Sequence, residues 1–236
     1  MMELDLGIAK INKYAVGESG DSIEIMERPR GGISIVMADG QGSGPNARRI
    51  SRLVVGKAVA LIGEGTRDGA VARAVHDYLY AVRGGKVSAT LAILSVDLDT
   101  RTLVVSRNGN NAVFIRQQGT TFPLPGGMDS IGVHRRMRPR IDEFPLEEGL
   151  LAVVVTDGIV HAGRRRGNPN SEEKILETIS KYEGERSQVL ADELLYEAML
   201  LDQNRPCDDM TVTVLQLRPH REGELIRRMG VSFPFR

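Results

Sequence analysis

Helical periodicity in this chain comes in pairs, and the pairs are separated by groups of short strands. From Pro45 to residue 63, Ile50, Leu53, Val54, Ala58 and Leu61 share one face at a 3.6-residue period, with Pro45 at a first-turn position that tolerates proline. After GEGTRDG, a second helix carries Val71, Val75, Tyr78, Leu79 and Val82 and stops at Gly84 and Gly85. A second pair occupies about 171–182 and 187–202, with Asn170 and Glu173 at capping-box spacing. Single helices alternating with strands would make parallel crossovers; paired helices leave the strands to pair with one another.

The strands fit that constraint. LDLGIAKI (4–11), SIEIMER (22–28) and GISIVMA (32–38) are β-branched runs between glycine-bearing turns. ATLAILSVDL, TLVVSRN and NAVFIRQ read as a meander joined by DTR and a turn at Gly109. LLAVVVT (150–156) is apolar at consecutive positions, as in a strand covered on both faces, and MTVTVLQL (210–217) closes the set. The expected fold is α+β: a four-layer α/β/β/α sandwich of two antiparallel sheets flanked by helix pairs. Helix 45–63 also carries Val55, Val59 and Ile62 off its main face, so it is covered on more than one side.

With 236 residues and no linker or repeat, the expectation is one domain over 1–236. Thirty-one basic residues balance 31 acidic ones, giving no overall field to draw the chain onto nucleic acid or an acidic membrane. The single cysteine, Cys207, excludes an internal disulfide and reads as a buried spacer. No apolar run is long enough to span a bilayer and the start lacks a signal pattern, so a soluble, cytoplasmic protein is expected.

Chemistry concentrates at strand ends. Asp21 opens a strand in SGDS, Asp39 closes one in ADGQG, Asp157 closes one in TDGIV, and Asp208 precedes one in CDDMTV. Each alone reads as a turn residue bonding its own backbone. Brought to one edge of a sandwich, four like charges require cations, and carboxylates beside the unshielded carbonyl of Gly40 suit hard Mg²⁺ or Mn²⁺ ions. His76, His134, His161 and His220 have no zinc-ligand spacing. GQGSG lacks both the dinucleotide and phosphate-loop patterns, although a helix starting near Pro45 retains the general affinity of helix N-termini for anions.

The set SGDS, ADGQGSG, TDGIV and DDMTV, in this order and with helices after the second, resembles the metal-dependent serine/threonine protein phosphatases (PPM or type 2C). The likeness is to their stage II sporulation protein E-like bacterial branch and runs from about Asp21 to Leu217. The resemblance implies two Mn²⁺ or Mg²⁺ ions, with Asp39 bridging them, Asp21 and the Gly40 carbonyl on one, and Asp157 and Asp208 on the other. It further implies that a hydroxide bridging the metals, rather than a side chain, attacks phosphoserine or phosphothreonine. The substrate class implied is a phosphorylated regulatory protein, such as an anti-sigma factor antagonist, in sporulation or stress signalling. Gln41 replaces a histidine common in eukaryotic members, and His161 replaces an acid that often follows the third motif.

Two other readings share these residues: a catalytically weak binding module of the same fold, and a hydrolase for a small phosphate ester. A regulatory partner or second copy meeting helix 45–63 is expected to shift Asp39 and Gly40. Arg164, Arg165 and Arg166, with HRRMRPR (134–140), are placed to steer an acidic phosphoprotein.

Overall fold

A computed structural model describes residues 1–184, 186–220 and 225–234. Among them lie β1 (Met2–Ile11), β2 (Asp21–Glu27), β3 (Gly32–Asp39), α1 (Gly44–Gly63), α2 (Asp68–Arg83), β4 (Leu91–Asp97), β5 (Thr102–Asn108), β6 (Ala112–Gln117) and β7 (Thr120–Pro123). There follow β8 (Arg140–Pro145), β9 (Leu151–Val155), α3 (Asp157–Val160), α4 (Glu172–Lys181), α5 (Ser187–Leu201) and β10 (Met210–Pro219). Every ladder is antiparallel, in two five-stranded sheets ordered β1-β10-β9-β6-β7 and β2-β3-β4-β5-β8.

Alternation along the central strands explains their unbroken apolar runs. In β3, Ile35 and Met37 face the opposite sheet, while Val36 and Ala38 pack with Ile50, Val54 and Ala58 of α1. In β9, Ala152 and Val154 point between the sheets, while Val153 and Val155 meet Leu190 and Leu194 of α5. With a helix layer outside and a sheet inside, both faces of these strands are removed from water, and the driving force is about 25 cal/mol per Å² of apolar surface buried. The four-layer α/β/β/α arrangement is therefore as the periodicity predicts.

The helix ends follow local chemistry. Gly42 and Gly44 have φ of 95° and 69°, left-handed values that turn the chain out of β3 into α1. The residue capping α2, Gly84, is also left-handed. The cap of α4 differs from expectation by one position: Ser171 Oγ accepts from the Lys174 N–H, while Asn170 donates its side-chain N–H to the Ile159 carbonyl. Ser171 has the extended backbone a cap needs, and Asn170 is engaged in holding α3.

Two further expectations need correction. The expected meander breaks at Gly109, because β5 pairs with β4 and β8 whereas β6 joins the other sheet beside β7 and β9. A Cβ on Gly109 would lie 2.8 Å from Thr90 Cγ2, so this crossing passes too close to β4 for any side chain. The polar stretch between β6 and β9 holds two edge strands, β7 and β8. As its two-sided pattern predicts, α1 is covered on more than one side: it packs on β2 and β3 and against α2, leaving Arg49, Arg52, Gly56 and Ala60 exposed.

Candidate metal centre at the sheet edge

Strand register brings the first two acids together. Asp21 and Asp39 are direct cross-strand partners in β2 and β3, an arrangement that costs free energy when both are charged. The Asp39 backbone is held by Thr90, which accepts from its N–H at 3.1 Å and donates to its carbonyl at 2.9 Å. Gly40 donates to the Gly20 carbonyl at 3.3 Å, and a Cβ on Gly40 would stand 2.1 Å from the Ala47 carbonyl. The first turn of α1 thus rests directly on this glycine.

The other sheet supplies the remaining acids. Thr156 and Thr211 bond each other at the ends of β9 and β10, setting Asp157 at the start of α3 close to the 208–209 turn. Thr211 Oγ1 donates across the sheets to Asp21 Oδ2. Of the two adjacent aspartates, Asp209 is turned inward: its Oδ1 accepts from the Lys13 N–H at 2.9 Å and its Oδ2 from the Gly20 N–H at 2.8 Å. The Asp208 side chain is 48% exposed, with Lys13 Nζ 4.0 Å away.

The acids act on one another electrostatically. Burial first, then the charges of Asp21, Asp157, Asp208 and Asp209, push the Asp39 carboxyl up to about 9. Asp21, buried and opposed by Asp209, is raised to about 6 despite the Thr211 hydrogen bond and the Lys10 charge. Burial and neighbouring Asp157 also raise Asp208. All four expected acids, Asp21, Asp39, Asp157 and Asp208, therefore share one field with Gly40 beside them.

Hard divalent cations fit this donor set, which is all oxygen and excessively negative. Among the described residues, no three Asp, Glu, His or Cys side chains converge tightly enough to form a direct three-side-chain site.

The surroundings were less visible in sequence. Lys10, Lys13 and Thr90 touch or steady the acids and belong to no recognisable spaced motif, whereas Thr156, Asp209 and Thr211 lie within TDGIV and DDMTV without their supporting roles being legible there. The Gln41 carboxamide oxygen accepts from the Ser88 N–H at 3.0 Å. His161 is exposed where α3 ends. Arg164–Arg166 form an exposed 3₁₀ turn between left-handed Gly163 and Gly167. Asp202 ties that turn to the site by accepting from both the Gly163 N–H (2.8 Å) and the Cys207 N–H (2.7 Å). HRRMRPR packs instead on the other sheet, with Met137 Sδ 2.9 Å from Asn108 Nδ2. Cys207 is only half-buried, so its expected place as a core spacer is not the observed one; it lies on the exposed turn that precedes Asp208.

The stage II sporulation protein E (SpoIIE) family model matches residues 29–218. The chain belongs to the SpoIIE family. Among solved structures, the PP2C phosphatase domain of Bacillus subtilis SpoIIE with a fragment of its regulatory domain superposes with a TM-score of 0.78 at 20% identity. That match covers 92% of this chain and 64% of the SpoIIE fragment, so this chain spans less than two thirds of that relative. RsbX in complex with magnesium gives a TM-score of 0.70 at 17% identity, covering 92% of this chain and 100% of RsbX. The Mycobacterium tuberculosis serine/threonine phosphatase PstP/Ppp gives 0.70 at 17% identity, covering 92% and 99%. None of the curated proteins matches the sequence. The family is therefore SpoIIE, and the fold is the one seen in these PP2C-type phosphatase structures.

Proposed function

We propose that residues 1–236 act as one metal-dependent phosphatase domain that hydrolyses phosphoserine or phosphothreonine on a regulatory protein. The observation carrying this reading is the register pair Asp21–Asp39, placed in one field with Asp157 and Asp208 from the opposite sheet. Asp21, Asp39, Asp157 and Asp208, with the Gly40 carbonyl, are the proposed ligands of two Mn²⁺ or Mg²⁺ ions. Such ions supply activation of water as a nucleophile and neutralisation of phosphoryl charge during in-line displacement.

The chain's residues supply the positions. Thr211 fixes the carboxyl of Asp21, Thr90 fixes the backbone of Asp39, and Asp209 holds the loop leading into Asp21. Neither Gln41 nor Cys207 is disposed to act as a proton donor or covalent nucleophile: the Gln41 oxygen is engaged by Ser88, and burial beside Asp202 raises the Cys207 thiol.

A protein substrate needs an open, shallow site at the acids. The cavity of about 400 Å³ between Leu4, Val96, Leu98, Leu146 and Leu217 is at the far end of β10, about 30 Å along the strand from Asp208 at the usual rise per residue. A small metabolite would favour an enclosed pocket at the acids. The anti-sigma antagonist class is the substrate implied by the resemblance, and the SpoIIE relative is a cell fate determinant. A cytoplasmic setting accords with the finding that no described helix is long and apolar enough to cross a membrane.

The test is phosphate release from an aryl phosphate and a phosphoserine peptide, with Mn²⁺ or with chelator, comparing Asp39→Asn. Release that needs Mn²⁺ and disappears in the variant is expected. Release in chelator, or full activity in Asp39→Asn, would overturn the reading.

A further inference from the structure

Loop 12–20 is built as a wall beside the acids. Its ends are clasped by Asp209 through the Lys13 and Gly20 amides, and Asn12 Nδ2 donates to the Gly17 carbonyl at 3.3 Å. The turn between Lys13 and Val16 closes at 3.1 Å with Ala15 left-handed at φ 63°. The Tyr14 N–H donates to the Pro206 carbonyl at 2.9 Å, docking the loop on the turn that carries Asp208.

This ordered loop leaves unusual side chains outward. Tyr14 is 57% exposed, and the exposed Arg205 guanidinium lies 5.5 Å from its ring centroid. Lys13 Nζ reaches to 4.0 Å from Asp208. On the other side of Cys207, Arg165 and Arg166 are near enough for their charges to act on its thiol. An aromatic ring backed by a guanidinium, on a loop already ordered, presents contact area at little entropic cost, and Tyr and Arg dominate the energetic centres of interfaces.

We propose that Lys13, Tyr14 and Arg205 form a docking wall that binds an acidic segment flanking the phosphorylated residue of a protein substrate, with Asp209 as its positioning residue. This inference deepens the phosphatase reading and rests on it for the direction of approach. The outward cations of the wall set the chemistry of the partner: carboxylates next to the phosphoresidue meet Arg205, with Lys13 shared between them and Asp208, and their backbone lies along the Tyr14 ring.

The test uses two phosphoserine peptides identical except for acidic or neutral flanks, with an aryl phosphate as the reference substrate. Wild-type chain is expected to prefer the acidic peptide by about tenfold in kcat/KM, the scale of one interface anchor. Arg205→Gln and Tyr14→Ala are each expected to remove most of that preference, lowering the ratio of acidic-peptide to aryl-phosphate turnover. Tyr14→Phe, which keeps the ring, is expected to retain it. Binding of the same labelled peptides is followed by fluorescence anisotropy in chelator, so that docking is read without turnover. Acidic preference that persists in both variants, or turnover of peptide and aryl phosphate falling in equal proportion, overturns the wall. Wild-type chain that turns over neither substrate with Mn²⁺, yet binds acidic peptide in an Arg205-dependent way, overturns the phosphatase reading and leaves the wall standing.

Discussion

Replacing Asp209 by Asn separates the two aspartates of CDDM by role. In the parent chain both Asp209 oxygens accept backbone N–H bonds, from Lys13 at 2.9 Å and Gly20 at 2.8 Å, within a side chain only 4% exposed. Hydrogen bonds to a charged acceptor contribute about 1.5–3 kcal/mol each. An amide keeps one acceptor oxygen and turns an NH₂ toward the other N–H, so one bond weakens and the second becomes a donor facing a donor. Removing one negative charge from the neighbourhood of Asp21 and Asp39 offsets part of that loss. The net expected cost is about 1.5–2 kcal/mol, localised to loop 12–20. The assay is amide hydrogen exchange in chelator: protection at Lys13 and Gly20 should fall about ten- to thirtyfold. The Val153 and Val214 amides, in the β9–β10 ladder, serve as the internal reference. Asp208→Asn, by contrast, should leave loop exchange near that of the parent and weaken Mn²⁺ binding in calorimetry by about tenfold or more. Unchanged exchange at Lys13 and Gly20 in Asp209→Asn would refute the clasp, and parent-like Mn²⁺ affinity in Asp208→Asn would refute the division of roles.

Four other outcomes follow from the same geometry. A carboxyl raised on folding from 3.8 to about 9 stabilises the folded state below its unfolded pKa, and that contribution is lost as pH climbs through about 9. In chelator, Asp39→Asn should therefore melt higher than the parent at pH 8 and show a flatter decline between pH 5 and 9; a lower Tm at pH 8 counts against the charge cluster. Gly40→Ala places a Cβ 2.1 Å from the Ala47 carbonyl and should displace the first turn of α1, lowering Mn²⁺ affinity as read by calorimetry; unchanged affinity would show that α1 does not set this position. Arg28 is 10% exposed and lies 3.1 Å from Asp68, which is 4% exposed, so Arg28→Ala should cost about 3–5 kcal/mol in a urea melt, and a cost below 1 kcal/mol would mean the pair is solvated. Changing Arg164, Arg165 and Arg166 together to Gln should raise KM for a phosphoprotein but not for an aryl phosphate, and equal effects on both would exclude steering.

Sequence patterning reveals most where burial is two-sided. LLAVVVT and GISIVMA are readable as strands because a helix layer outside and a sheet inside demand apolar residues at every position. The edge strands β7 and β8 are half-solvated, so TTFP and RIDEFP lack any such demand and resemble loop. The turn at Gly109 reads as a hairpin because a glycine turn of that length serves equally for a hairpin and for a crossing between sheets. What distinguishes them is the pairing that follows, with β6 beside β9 and β7 in the other sheet while β5 lies between β4 and β8. The same holds for the acids: Asp21 and Asp39 are legible as strand-end residues, but the choice between Asp208 and Asp209 rests on the Lys13 and Gly20 amides, nearly two hundred residues earlier in the chain.

That separation also accounts for how the site can respond to its surroundings. Asp21 and Asp39 belong to one sheet, Asp157 and Asp208 to the ends of strands in the other, and the described links across the seam at this edge include Thr211 to Asp21 and Asp209 to Gly20. Burial and then mutual repulsion raise Asp39, and both oppose closure of the seam over charged carboxylates, whereas divalent cations would favour it. Helix α1 touches the same edge through Ala47 on Gly40, while its other apolar residues are committed to β3 and α2. A shift of α1 of even a fraction of an ångström must therefore move the Gly40 backbone or open the contact. A partner acting on the outer Arg49–Arg52 face of α1 would reach the acids through Ala47 on Gly40 and through Ser51, whose hydroxyl lies 2.8 Å from that of Ser22 beside Asp21; a change in Mn²⁺ affinity is the expected readout.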